Sequence, residues 1–432
     1  MTEKTITTTV ALLCLYGFFK DMRPAVPFLT PFLRSDLKNY TAEKVNNEIY
    51  PILSYSWMAS LFLVLLIADF VRYKPVLVVG GASYVATSVL WLWGERLEVM
   101  QIAQVVYGLA TATETVYFSY IYVIVEDDYY QKATGYVRCT TLLGQFLAST
   151  ISQIVISFDK TDYLLLHYIT LGSVSVSFLL SVFLPPSKKS LMSQKTTMSQ
   201  TDLCRGHNEY KHSISRFNNF FQDLKTCYNN RKIIVWSLWW ALATCGNNLE
   251  VTNVQNLWYV IEPASANGGL NNGIAEAITT LLGALVSFSV GYMKLNWSVF
   301  GELTLGVMSV AEAILLITMA TTKNIWVCYG CGVLFKISYY MLITVASFQV
   351  ARLLSVGRYA LVFGCNNLLA LTLQAAIVAV VVDKDTLNTG IRAQFLIYGG
   401  YFYMLAAVFL IKAVYTLTVE GWSDSWAKRW TD

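Results

Sequence analysis

PILSYSWMASLFLVLLIADF (51–70), then VRYK (71–74), then PVLVVGGASYVATSVLWLWG (75–94), decides the fold class. The runs 51–71 and 75–94 are each as long as the ~20 apolar residues that carry a helix across a bilayer. Both are continuous rather than alternating, so a transmembrane β-barrel is excluded. Ten more runs of this kind lie outside them, at 7–32, 99–125, 133–157, 164–184, 233–258, 273–294, 299–320, 324–350, 358–382 and 394–417. The expectation is an all-α, polytopic membrane protein of twelve transmembrane helices. Arg23-Pro24-Ala25-Val26-Pro27-Phe28 should kink or end the first of them.

Composition agrees. Of 432 residues, 55% are hydrophobic, 14% aromatic and 13% charged. A soluble protein carries about 25% charged residues, so a water-soluble enzyme of this size is largely excluded. A disordered regulator would need the opposite balance. The net charge is +4, and no basic tract offers a nucleic-acid surface. Eight cysteines form no extracellular disulfide framework. Cys328-x-x-Cys331 sits in an apolar run without a second pair or a nearby His and reads as packing. The first apolar run lacks a cleavage pattern and reads as an uncleaved span.

One connection is long. Residues 185–232 separate six spans from six, the layout of transporters built from two similar halves. The expected domains are a bundle at 1–184, a cytosolic loop at 185–232, a second bundle at 233–418 and a cytosolic tail at 419–432. The loop holds nine Lys and Arg residues, from Lys188 to Lys232. Arg72, Lys74, Lys132, Lys294, Arg352 and Arg358 fall on the same side, so both termini should be cytosolic. Asn39-Tyr40-Thr41, a glycosylation pattern, then falls outside.

A charge inside the hydrocarbon is costly, so each intramembrane ionisable residue is a functional candidate. Glu114 lies in span four, and Tyr117, three residues on, shares its face. A carboxylate beside an aromatic ring suits a flat organic cation. The other reading is a structural carboxylate paired with a cation on a neighbouring helix. Glu250 and Asn253 lie in a polar stretch of span seven, Cys245 to Asn256. That stretch either lines a wet cavity or is buried with internal hydrogen bonds. Glu276 and Glu312 lie in spans eight and nine, and Lys336 in span ten. A buried Lys wants a carboxylate, and Glu114, Glu250 and Glu276 are possible partners. Asp69, Arg72 and Lys74, in the turn after span two, and Arg23 are gating or structural candidates. Simple positive-inside anchoring is the alternative for the turn. Phosphate loops, zinc motifs and nucleophile elbows are missing, and the three histidines offer no buried metal site. No cofactor is expected.

Several segments are similar to the reduced folate carrier and thiamine transporter family. They include Tyr16 to Pro24, Pro27 to Leu33, Asn47 to Pro51, Asp69 to Pro75, Thr111 to Tyr122, Tyr130 to Tyr136, Trp236 to Trp240 and Tyr359 to Gly364. The resemblance covers nearly all the chain except the central loop and tail. It implies a six-plus-six major-facilitator fold in the plasma membrane, carrying a vitamin by alternating access, with a proton or an exchanged organic anion as possible partner. In that family the Glu114 position holds Arg in folate carriers and Glu in thiamine transporters. Gln374 aligns with Lys in the former and Gln in the latter. The Lys336 position is basic in both. The sequence departs at Val26, where the thiamine transporters carry a Glu that contributes to recognition, at Leu53 in place of Trp and at Thr252 in place of Asn. Glu250 and Asn256 are polar where the family is usually apolar. Thiamine or a related cation is the first expectation and reduced folate the second. A receptor-like or scaffold membrane protein without flux is the alternative of another class.

Overall fold

The computed structural model describes residues 3–71, 73–158, 163–186, 222, 224–262, 268–295, 297–354, 358–381 and 389–419. No strand occurs among them. The main helices are α1 (Glu3–Asp21), α2 (Leu29–Arg34), α3 (Tyr50–Val71), α4 (Lys74–Trp93), α5 (Leu97–Ala112), α6 (Glu114–Ile124) and α7 (Tyr130–Phe158). They continue with α8 (Tyr163–Phe183), α9 (Arg231–Ile261), α10 (Gly268–Val290), α11 (Trp297–Thr321), α12 (Ile325–Leu353), α13 (Tyr359–Val381) and α14 (Ile391–Val419). With the short α2 set aside and α5–α6 taken as one interrupted span, each expected span holds one helix. Among the described residues, nine helices are long and apolar enough to cross a membrane. Outside these nine are α1, with its polar start, the interrupted α5–α6, and α9 with its polar stretch.

Proline sets the end of α1. Pro24 has no N–H to give to the carbonyl of Lys20, so the helix stops at Asp21. The chain turns through a short 3-10 segment, Val26–Phe28, into α2. Side chains of neighbouring helices satisfy the carbonyls near this end. Ser173 Oγ donates to Phe19 O at 2.7 Å, and Ser152 Oγ to Pro24 O at 3.0 Å. In a bilayer water cannot do this, so the serines replace it. Gly144 lets α7 approach closely, because a Cβ there would run into the carbonyl of Phe18.

Span four differs from the continuous helix expected. It is interrupted at Thr113, whose hydroxyl donates back to Ala110 O at 2.7 Å. A Thr bonded to its own preceding turn bends a helix, and this break makes Glu114 the first residue of α6.

The chain forms two compact units. The first takes in Met1–Leu238, Leu270–Tyr292 and Thr344–Leu369, and the second Trp239–Gly269, Met293–Ile343 and Ala370–Asp432. In the first, α1 packs on α7 and α8, α4 on α5 and α8, and α3 on α5. Leu29, Phe32, Leu33, Val45, Ile49, Trp91, Met100 and Ala103 form an apolar cluster that seats α2. In the second, α11 lies along α14, and the Trp239 indole donates to Ser309 Oγ at 3.4 Å.

Candidate functional site

In the first unit, the end of α1 brings Lys20, Asp21 and Arg23 to the start of α6. Lys20 Nζ lies 2.9 Å from Asp21 Oδ2 and donates to Glu114 Oε1 at 2.9 Å. The Tyr84 hydroxyl on α4 donates to the same oxygen at 2.8 Å. Arg23 Nη2 stands 3.4 Å from Asp21 Oδ1 and 4.0 Å from Glu114 Oε1. Its guanidinium centre lies 4.6 Å from the Tyr84 ring centroid, and Nη1 donates to the Tyr107 hydroxyl at 3.3 Å. Two cations thus face two carboxylates, and the four charges cancel. Cancellation is what makes such a cluster tolerable in a dry interior. Lys20 and Asp21 side chains are 2% exposed, while that of Glu114 is 29% exposed, so the carboxylate is the open edge of the cluster.

Tyr117 is fully buried and donates to Leu13 O at 3.2 Å. Its ring lies 5.2 Å from Lys20 Nζ. Gly17 makes room for it, since an added Cβ would come within 2.7 Å of Tyr117 Cζ.

In the second unit, Glu250 Oε2 lies 3.4 Å from Lys336 Nζ, and both residues are buried. Glu250 is one of the three carboxylates open to Lys336 on sequence grounds, and it lies beside it. Asn253 donates to Leu249 O at 2.9 Å and to the Tyr398 hydroxyl at 3.2 Å. The polar stretch of α9 is therefore two-sided. Glu250 and Asn253 face inward, while Thr252, Gln255 and Asn256 are exposed. Gln374 is half-buried on α13.

The sequence model of the family described as "Reduced folate carrier" matches residues 4–397. The chain belongs to the reduced folate carrier family. Thiamine transporter 2 of Macaca fascicularis is 41% identical over 448 residues, covering 95% of this chain and 90% of that one. Folate transporter 1 of Caenorhabditis elegans is 38% identical, covering 93% and 91%. Among solved structures, the major-facilitator proton:xylose symporter XylE superposes with a TM-score of 0.66 at 13% identity, covering 98% of this chain and 97% of that one. The fold is that of the major facilitators, and this carrier is a multi-pass membrane transporter rather than an enzyme.

The carrier's remaining expected residues fall elsewhere. Lys74 opens α4, after Tyr73 at a φ of 57°. Arg72 and the side chain of Asp69 lie outside the described residues, as do most of 185–232 and nearly all of 419–432. Asn39 is exposed at a φ of 57°, a left-handed position that Asn tolerates well. Arg23, expected to gate or brace, stands inside the Glu114 cluster. Sequence reasoning missed Lys20, Asp21, Tyr84 and Tyr107. The sequence does carry a signal for the first two: three charges crowd the end of an apolar run just before a proline. Arg138 of α7 was also missed; its Nη2 donates to Ser347 Oγ at 2.9 Å and it stacks on Phe118 at 4.6 Å. Glu312 on α11 is fully buried, and its carboxyl oxygens make no hydrogen bond among the described residues.

Proposed function

We propose that this carrier moves a water-soluble vitamin across the plasma membrane by alternating access, with thiamine or a related heteroaromatic cation as its substrate. The observation that carries the reading is Glu114, a partly open carboxylate in a cluster rich in aromatic rings. A flat cation gains both charge attraction and a ring face there. Glu250, Asn253, Lys336 and Gln374 are assigned to substrate recognition in the other unit, and Asp69, Arg72, Lys74 and Arg23 to gating or structural roles. Reduced folate is the second reading. Lys20 and Arg23 favour it, because they would hold a carboxylate ligand if Glu114 released them.

Uptake of labelled thiamine and labelled reduced folate, side by side in cells lacking their own carriers, tests the reading. Saturable thiamine uptake that reduced folate does not inhibit is the expected result. Folate uptake without thiamine uptake would replace the first reading by the second. No uptake of either, at normal surface expression, would favour a receptor-like protein. Repeating the assay at two external pH values and after loading with an organic anion separates proton coupling from anion exchange.

The same proposal divides the chain into bundles at 1–184 and 233–418, with 185–232 and 419–432 in the cytosol. It puts Asn39 outside and glycosylated. Asn39→Gln should then give a faster-migrating band on a gel, equal to that of enzymatically deglycosylated wild type. Unchanged mobility would remove the site and its support for the topology.

A further inference from the structure

The ammonium of Lys20 occupies the position that suits a substrate cation. It touches Glu114 Oε1 at 2.9 Å and lies 5.2 Å from the Tyr117 ring. It also has a second carboxylate at equal distance, Asp21 Oδ2 at 2.9 Å. The two acids differ in access: Asp21 is 2% exposed and Glu114 29%. A ligand can therefore reach one partner of Lys20 and not the other.

We propose that Lys20 is a resident substitute for the substrate's cation, a specificity-determining residue that holds Glu114 until a cationic ligand takes it. On binding, the ligand's positive group takes the Glu114 carboxylate, and Lys20 relaxes fully onto Asp21. No charge is left alone at any stage, which a dry site requires. The exchange also discriminates. A neutral ligand cannot compensate Glu114 for the loss of Lys20, so it is rejected without a steric clash. Arg23, held by Asp21 and the Tyr84 and Tyr107 rings, keeps its place and does not move with Lys20.

This inference rests on the cation-transport reading, and one experiment separates their failures. Saturable thiamine uptake is measured for wild type, Lys20→Gln, Asp21→Asn, the double variant K20Q/D21N, and the double variant combined with Glu114→Gln. The double variant removes a cation and an anion together, so it guards against a fold lost to one stranded charge. With the closer of its two cations gone, and Arg23 still 4.0 Å from Glu114 Oε1, KM for thiamine should fall about tenfold in the double variant. Asp21→Asn alone should raise KM, because Lys20 then has only Glu114. The gain in the double variant should vanish when Glu114→Gln is added. A purely structural Lys20 would lower the amount of carrier at the surface and leave KM where it was. Wild-type uptake with an unchanged or higher KM in the double variant overturns the role of Lys20 alone. If no form takes up thiamine, both readings fall.

Discussion

Glu114→Arg should abolish saturable thiamine uptake while the protein still reaches the cell surface. The cluster now holds Lys20 and Arg23 against Asp21 and Glu114. The substitution would leave three cations facing one carboxylate, a net change of two charges in a largely dry place. Removing one partner of a buried charge pair formed with a ligand costs about 2–5 kcal/mol of binding, and the partial exposure of Glu114 puts this site at about 3 kcal/mol. That still corresponds to a fall in kcat/KM on the order of a hundredfold. Glu114→Gln, which keeps the shape and removes one charge, should fall between the two. A variant with wild-type thiamine uptake would show that Glu114 does not meet the substrate. Gain of folate uptake by the Arg variant would be the strongest result, because it would make this one position the arbiter of ligand charge.

The second large effect belongs to Glu250 and Lys336. They lie 3.4 Å apart and are buried in the second unit. Glu250→Gln takes the carboxylate from a buried ammonium, at a cost of roughly 3–5 kcal/mol. The purified variant should unfold at a clearly lower temperature, and its thiamine uptake should weaken. The exchanged pair Glu250→Lys with Lys336→Glu should recover much of the stability, because it restores opposite charges in one place. If it recovers stability but not uptake, the pair also touches the substrate and its polarity matters. Unaltered stability in Glu250→Gln would mean that the ion pair contributes nothing to this unit.

Much of this architecture is legible in the chain. Apolar runs of spanning length give each long helix, because a bilayer allows little else. The family follows from long collinear motifs. What the runs do not reveal is the interruption at Thr113, where one hydroxyl bonds back to Ala110. Nor do they reveal who partners Glu114. Lys20 is 94 residues away, and nothing in helical periodicity links the two. Of the two readings open for Glu114, the geometry supplies the neighbouring cation of the one and keeps the accessible edge required by the other. Lys336 shows the same limit. A buried cation announces the need for an acid, yet only the folded structure, with Glu250 3.4 Å from Lys336, shows which acid it is given.

The early stop of α1 has a consequence for biosynthesis. Chains are made at about 5–20 residues per second, so roughly 5–20 s separate the synthesis of Lys20 from that of Glu114, 94 residues later. During that interval the first helix carries its ammonium without the carboxylate that will hold it. Asp21, the next residue made, is already there and reaches Lys20 at 2.9 Å in the finished protein. The adjacent acid thus acts as an escort, lending the nascent helix a counter-charge until the fourth span is delivered.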